Sequence, residues 1–336
     1  MKFALAPLAG FTDAPFRRLA FEGGADLTYT EMVSAAALAH GHNPTLHLLE
    51  TMPGEGPVAC QLFGAKEDEL AKATEIVMKV APGRFVELNL NAGCPMTKVT
   101  KCGAGAALVR DPAKIGRLLA AMKANTDLPV TLKTRLGPHP GETTVFDILG
   151  EAEAAGAAAI AVHARYTSQC HGGPLHLDTL AEVVRAAHVP VTGNGSIVDE
   201  PSARAMASTG VSSMMIGRAA VSDPFIFSRL KESFNIPSSA LRTPHSALST
   251  EHSALSTEIC QKHLAYLLAF RDALAAKFPR DHVPSPDGFA SVKMHVHLFR
   301  YFNGRPGAAA LRARLNSVRT LAEIRSIIAA AERGTL

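Results

Sequence analysis

Residues 85–105 read FVELNLNAGCPMTKVTKCGAG. A strand-like run, Phe85–Leu90, stops in Asn91, Ala92, Gly93, Cys94 and Pro95, with lysines just downstream. Gly and Pro punctuate regular structure, so the run ends in a tight turn that presents Cys94 outward. A thiol in such a turn is an unusual place for a core cysteine. Lys98 and Lys101 nearby favour its thiolate.

Similar runs recur along the chain: Phe3–Pro7, Leu27–Met32, Val58–Phe63, Val130–Lys133, Ala159–His163, Val189–Thr192 and Ser213–Ile216. Several are β-branched and apolar on both faces, which is how buried parallel strands read. Between them KEDELAKATEIVMKV, DPAKIGRLLAAMKAN, TTVFDILGEAEAAGA and DTLAEVVRAAH carry apolar residues three and four apart, the helical spacing. Asp111 and Pro112 make a good helix start. Eight strands alternating with helices over the first 230 or so residues predict an α/β fold, a (β/α)8 TIM barrel, whose usual size is about 250 residues. A doubly wound open sheet is the competing architecture.

The barrel is expected to occupy residues 1–234. After Phe234 the chain turns Ser-, Pro- and Thr-rich, and the heptad HSALSTE occurs at 245–251 and again at 252–258. That reads as a duplication in a tolerant linker, residues 235–258. Residues 259–336 are expected to form a small all-α helical bundle, with Leu311, Leu315, Val318, Leu321, Ile324 and Ile328 on one buried stripe. From Ser256 onward there are twelve Lys and Arg against six Asp and Glu, while the rest of the chain is slightly acidic. A near-neutral body with a basic helical tail suits a polyanion partner. Five cysteines without a CxxC argue against a disulfide framework or zinc ribbon. Cys60 and Cys170 read as buried, inert thiols. No apolar run is long enough to span a membrane, and a cytoplasmic protein is expected.

Active sites of such barrels lie at the C-terminal strand ends. There the sequence collects Gln61, Asn91, Cys94, Lys133, Arg135, His163 and Arg165. TGNGS and IGRAA follow the last two strands, where barrels commonly hold phosphate, so Gly195, Gly217 and Arg218 point to a phosphorylated ligand. Lys133 in an apolar strand is costly unless paired. It suits a Schiff base or the polar edge of a flavin. Cys94 suits proton donation or nucleophilic attack.

APLAGFTDAPFR, CQLFG, NLNAGCPMTKV, LKTRLG, VHAR, GNGSI and MIGRAAVSDPFIF, in this order and spacing, resemble the tRNA-dihydrouridine synthases. HLFRYFNGRPGAAALR at 297–312 is similar to that family's C-terminal tRNA-binding helices. The resemblance implies FMN held by Pro7, Leu8, Ala9, Gln61, Lys133, His163, Asn194, Gly195, Ser196, Gly217 and Arg218. It implies reduction by NADPH, hydride transfer to carbon 6 of an extruded tRNA uridine, and Cys94 as the acid that protonates carbon 5. Asn91, Lys98, Arg135 and Arg165 are expected on the substrate side. No metal and no obligate protein partner are expected. Ser196 stands where the family usually has Asp, Phe225 where it has Trp, and Arg300 where it has an aromatic residue. The alternatives are an FMN-dependent dehydrogenase of free pyrimidines and a non-catalytic RNA-binding barrel.

Overall fold

The computed structural model describes residues 1–237, 252–279, 281, 283–302 and 308–333. Its strands are β1 (Lys2–Leu5), β2 (Thr28–Tyr29), β3 (Val33–Ser34), β4 (Val58–Phe63), β5 (Glu87–Ala92), β6 (Val130–Arg135), β7 (Ile160–His163), β8 (Val191–Asn194) and β9 (Ser213–Ile216). They pair in parallel in the order β1-β9-β8-β7-β6-β5-β4-β2, with β3 also on β4. A bridge from Ala4 to Leu27, with Leu5 N–H donating to the Leu27 carbonyl at 2.9 Å, brings the two ends together. The result is a TIM barrel, not an open sheet.

The expected strand Leu27–Met32 is divided. Thr28 pairs with Val58 but Val33 pairs with Leu62. Thr30, Glu31 and Met32 therefore face only Cys60 and Gln61, and the extra residue makes a bulge that bends the strand. β5 and β6 run further than expected, to Ala92 and Arg135.

β1 and β9 are apolar on both faces, with Phe3, Leu5, Met214 and Ile216 on one and Ala4 and Met215 on the other, but the strands from β4 to β8 are not. Leu88 and Leu90, Val130 and Leu132, Ile160 and Val162 face the surrounding helices and join the main core. The alternate residues, turned toward the barrel axis, are small or polar: Ala59, Gln61, Asn89, Asn91, Thr131, Lys133, Ala161, His163 and Asn194 pair in register around the ring. The period of two in a strand is what separates the two sets. The interior under the cavity is a shaft that is polar along Gln61, Asn89, Asn91, Thr131 and Lys133 and apolar where Ala4, Ala6, Ala59, Ala161 and Met215 cluster, so the alternation is built into the site.

At several helix starts a side chain satisfies a free N–H group. Asp111 accepts from Lys114 N–H at 3.0 Å, with Pro112 at the first turn, as the sequence suggested. Beyond the barrel lie helices His252–Lys277, Pro286–Tyr301, Ala308–Leu315 and Leu321–Glu332. The first opens at His252, the first residue of the second heptad, so residues 252–258 of the expected linker are helical. The first heptad, 245–251, lies outside the described residues. The expected single stripe over 311–328 is broken into two helices. Thr320 accepts from Glu323 N–H at 3.2 Å and Glu323 accepts from Thr320 N–H at 3.0 Å, a reciprocal cap that starts a new helix. Leu311, Leu315, Val318, Ile324 and Ile328 are nonetheless buried.

The C-terminal helices dock on barrel helix Ala14–Glu22. The Phe16 ring lies 4.9 Å from that of His297 and 5.7 Å from that of His263. Tyr266 donates to Glu22 at 2.7 Å, and Lys293 reaches Asp13 and Glu31 at 3.3 and 3.5 Å. Barrel and helices share one apolar core. No described helix is long and apolar enough to cross a membrane.

Candidate functional site

A cavity of about 640 Å³ opens at the C-terminal ends of the strands. Pro7, Leu8 and Ala9 follow β1 into its wall. Asn91 and Cys94 come from the end of β5, Lys133 and Arg135 from β6, His163 and Arg165 from β7. Asn194, Gly195 and Ser196 come from β8, Gly217 and Arg218 from the turn after β9. Two residues expected here lie elsewhere. Gln61 is fully buried in the shaft below, bonded to Asn91, and Lys98 is exposed on the short helix Thr97–Thr100.

The turn that carries Cys94 is held from three sides. Asn91 Oδ1 accepts from the N–H groups of Gly93 and Cys94, at 3.1 and 3.0 Å. Arg135, 1% exposed, donates Nε–H to the Gly93 carbonyl at 2.7 Å and Nη1–H to the Tyr166 carbonyl at 3.2 Å. Ala106 N–H donates to the Cys94 carbonyl at 2.9 Å. The chain can pass so close because residue 105 is glycine, at φ +60°. A Cβ there would lie 2.7 Å from the Cys94 carbonyl oxygen and 3.3 Å from the Cys94 Cβ. Asn91 and Arg135, expected as substrate contacts, thus spend these bonds on the turn. Lys133 and Arg135, from the neighbouring strand, line the same cavity as Cys94. Lys98 and Lys101 are exposed and do not line the cavity.

Cations crowd this space. Burial and the neighbouring Arg135 push Lys133 down to about 7, and its Nζ donates to Asn194 Oδ1 at 3.0 Å. Burial likewise pulls Arg135 down to about 10. His163 is held neutral by burial, then by Lys133, Arg135 and Arg165. Arg165 Nη1 lies 3.3 Å from His163 Nε2, so that nitrogen accepts and the ring proton sits on Nδ1. Arg165 also donates to the Gly173 carbonyl at 2.9 Å and Ser196 Oγ at 2.8 Å. Ser196 adopts φ +46° and Gly195 φ +130°. Arg218 is exposed and donates to the His171 carbonyl at 3.1 Å. Among the described residues no carboxylate pairs with Lys133 or Arg218.

Phe11, Met32, Met96, His171, Val198 and Arg300 line the cavity without having been singled out as site residues. Met96, 59% exposed, directly follows Cys94-Pro95 and could have been found from that position. Arg300 could not, because it comes from helix Pro286–Tyr301, which reaches the mouth only through docking of the C-terminal helices. Cys60 is buried and pushed up to about 12 by that burial, an inert thiol. Cys170, expected to be buried, is exposed, on a turn at φ +49°.

The sequence profile of dihydrouridine synthases (Dus) matches residues 4–333, barrel and helices alike. The chain is 33% identical to tRNA-dihydrouridine synthase B of Pseudomonas putida over 94% of its own length and 86% of that protein's. It is 32% identical to a probable tRNA-dihydrouridine synthase of Mycobacterium tuberculosis, over 95% of this chain and 79% of the other. It is 35% identical to one from Treponema pallidum over 68% and 69%. With the thiol turn, the cation-lined cavity and a match that runs through both parts of the fold, the chain belongs to the dihydrouridine synthase family, flavin-using oxidoreductases of tRNA uridines.

Proposed function

We propose that this protein reduces specific uridines of cytoplasmic tRNA to 5,6-dihydrouridine, with FMN as resident cofactor, NADPH as its reductant and Cys94 as proton donor. The observation that carries this reading is the convergence of Cys94, Lys133 and Arg300 on one cavity, since Arg300 belongs to the basic helical part. A dehydrogenase of free pyrimidines would have no use for a cation brought from a separate helical segment. The family match through residue 333 likewise sets aside that alternative and the non-catalytic barrel.

The donor set fits FMN. Lys133 faces the cavity with no carboxylate partner among the described residues, as suits a neighbour that is itself electron-rich. Arg218, the backbone near Gly217 and Gly195, and Ser196 would hold the phosphate, as cations and close backbone N–H groups hold anions. Pro7, Leu8 and Ala9 would wall the ring, with His163 and Asn194 beside it and Gln61 supporting from below. When bound, the reduced cofactor supplies the hydride for carbon 6 of the uracil. This chain's residues do the rest. Lys133 and Arg135 keep the floor positive. Arg165 fixes His163 and Ser196 on the far wall. Cys94 Sγ delivers a proton to carbon 5 from a turn that Asn91 and Arg135 immobilise. Arg300, and Lys98 on the outer rim, would meet backbone phosphates of a nucleotide drawn out of the folded tRNA, as chemistry on a single base requires.

The test is Cys94→Ala. The purified protein is expected to stay yellow and to oxidise NADPH at nearly the parental rate. Dihydrouridine formation on unmodified tRNA is expected to fall by on the order of 10²-fold or more, the usual effect of losing a general acid. Full turnover by the alanine variant would sink the assignment.

A further inference from the structure

We propose that Glu87, at the opposite end of the barrel from the cavity, is a positioning residue for Cys94, acting through the side chains of Thr131, Asn89, Gln61 and Asn91. These side chains form one unbroken run of hydrogen bonds along the barrel axis. Cys94 and Gly93 N–H donate to Asn91 Oδ1 at 3.0 and 3.1 Å. Asn91 Nδ2 donates to Gln61 Oε1 at 2.8 Å, and Gln61 Nε2 to Asn89 Oδ1 at 2.7 Å. Asn89 Nδ2 donates to Thr131 Oγ1 at 2.8 Å, and Thr131 donates to Glu87 Oε1 at 3.0 Å. Tyr29 donates to the same Glu87 oxygen at 2.7 Å.

Every bond in the run points the same way. Both ends require it. At the top, two backbone N–H groups demand an acceptor, so Asn91 must present its oxygen. At the bottom Glu87 Oε1 already accepts from the Tyr29 hydroxyl, so that oxygen is an acceptor and Thr131 donates to it. The amides between are then fixed, each accepting from above and donating below. A run reversed at the bottom would bring Asn91 Nδ2 against the N–H groups of Gly93 and Cys94, and the turn would lose its anchor. Gln61, Asn89, Asn91 and Thr131 are all under 7% exposed, so no solvent is at hand to repair a mismatch. Buried polar chains of this kind rigidify only when every member is satisfied. Glu87 itself is half-buried at the start of β5. Glu87 does not touch the cavity, which excludes direct chemistry and leaves orientation as its role.

Its effect on turnover rests on the reading of Cys94 as the acid. Its effect on the turn does not, so the turn is read separately. Holoenzyme is treated with iodoacetamide, and alkylation of Cys94 is followed by peptide mass spectrometry against exposed Cys102 as internal reference. Glu87→Ala and Thr131→Val are expected to raise the Cys94 rate relative to Cys102 by about fivefold, the equivalent of one net hydrogen bond. Dihydrouridine formation should fall by a similar factor while NADPH oxidation is unchanged. Glu87→Gln can still offer an oxygen to Thr131 and Tyr29, and Thr131→Ser keeps the hydroxyl, so both are expected to behave like the parent. Thr131→Val preserves side-chain shape and decides the matter if Glu87→Ala does not fold. Parental alkylation in Thr131→Val overturns the proposal. So does equal disturbance in the Gln and Ser variants, which would show that these positions serve packing alone. If Cys94→Ala turned over fully, the alkylation result would still stand as a test of the turn.

Discussion

Two glycines at the proposed phosphate site make opposite demands, and replacing each by alanine separates what the fold needs from what the ligand needs. Gly195 sits at φ +130°, where a Cβ would lie 2.7 Å from Leu175 Cδ2 and 3.0 Å from His163 Cδ2. Leu175 can swing away. His163 cannot move freely, because Arg165 holds its Nε2 at 3.3 Å. Backbone strain at such a φ costs about 1–3 kcal/mol, and overpacking a further ~1–3 kcal/mol. A loss of about 2–6 kcal/mol lowers the melting temperature of a chain this size by roughly 3–9 °C. Gly217 differs. A Cβ there meets nothing closer than Ala6 Cβ at 3.7 Å and Leu8 Cδ2 at 3.8 Å, which is ordinary contact. Flavin-free Gly217→Ala is therefore expected to melt within about 0.5 kcal/mol of the parent, as a substitution without a clash does. Its methyl group would, however, stand where the phosphate approaches. An overpacking cost of about 1–3 kcal/mol felt only in the complex weakens FMN binding by roughly 5- to 150-fold. The assays are thermal melting of flavin-free protein and fluorescence titration with FMN. If Gly217→Ala binds FMN as tightly as the parent, the phosphate is not held there. If Gly195→Ala melts with the parent, the steric argument is wrong.

Lys133 should report cofactor binding as proton uptake. Free, it sits near 7 because of burial and Arg135, so at about pH 8 it is mostly neutral. An electron-rich ligand edge beside it raises that value, so binding draws a proton from buffer. Calorimetry near pH 8 in buffers of different ionisation enthalpy should show the uptake, and Lys133→Met should abolish it; heats that do not depend on buffer would refute the placement. Arg300→Ala should weaken tRNA binding and lower its salt slope by about one, as loss of one phosphate contact does, with flavin retention unchanged. An unchanged slope would mean that Arg300 meets no phosphate.

The barrel was legible because strand runs and helical runs alternate at short, even spacing, and because polar residues gather where those runs end. The division of labour among those polar residues was not. Asn91 and Arg135 stand at strand ends like ligand contacts, yet their bonds go to Gly93, Cys94 and Tyr166. Only the folding of β5 against β6 brings Arg135 under the turn. Lys98 and Lys101 are the lysines nearest Cys94 in sequence, whereas the basic side chains that line the cavity with it include Lys133 and Arg135, from a strand some forty residues on. Thr320 and Glu323 are spaced as a reciprocal cap, enough to break one expected helix into two. Glu-Leu-Asn-Leu-Asn in β5 alternates with period two, which a reading for apolar content alone passes over. That alternation matters most, because it sends Leu88 and Leu90 to the helices and Glu87, Asn89 and Asn91 down the axis. Reading β5 as two faces shows why a strand beneath the thiol turn carries amides at every second position. They connect the turn to the Glu87 carboxyl group at the far end of the barrel, and a strand apolar on both faces could not.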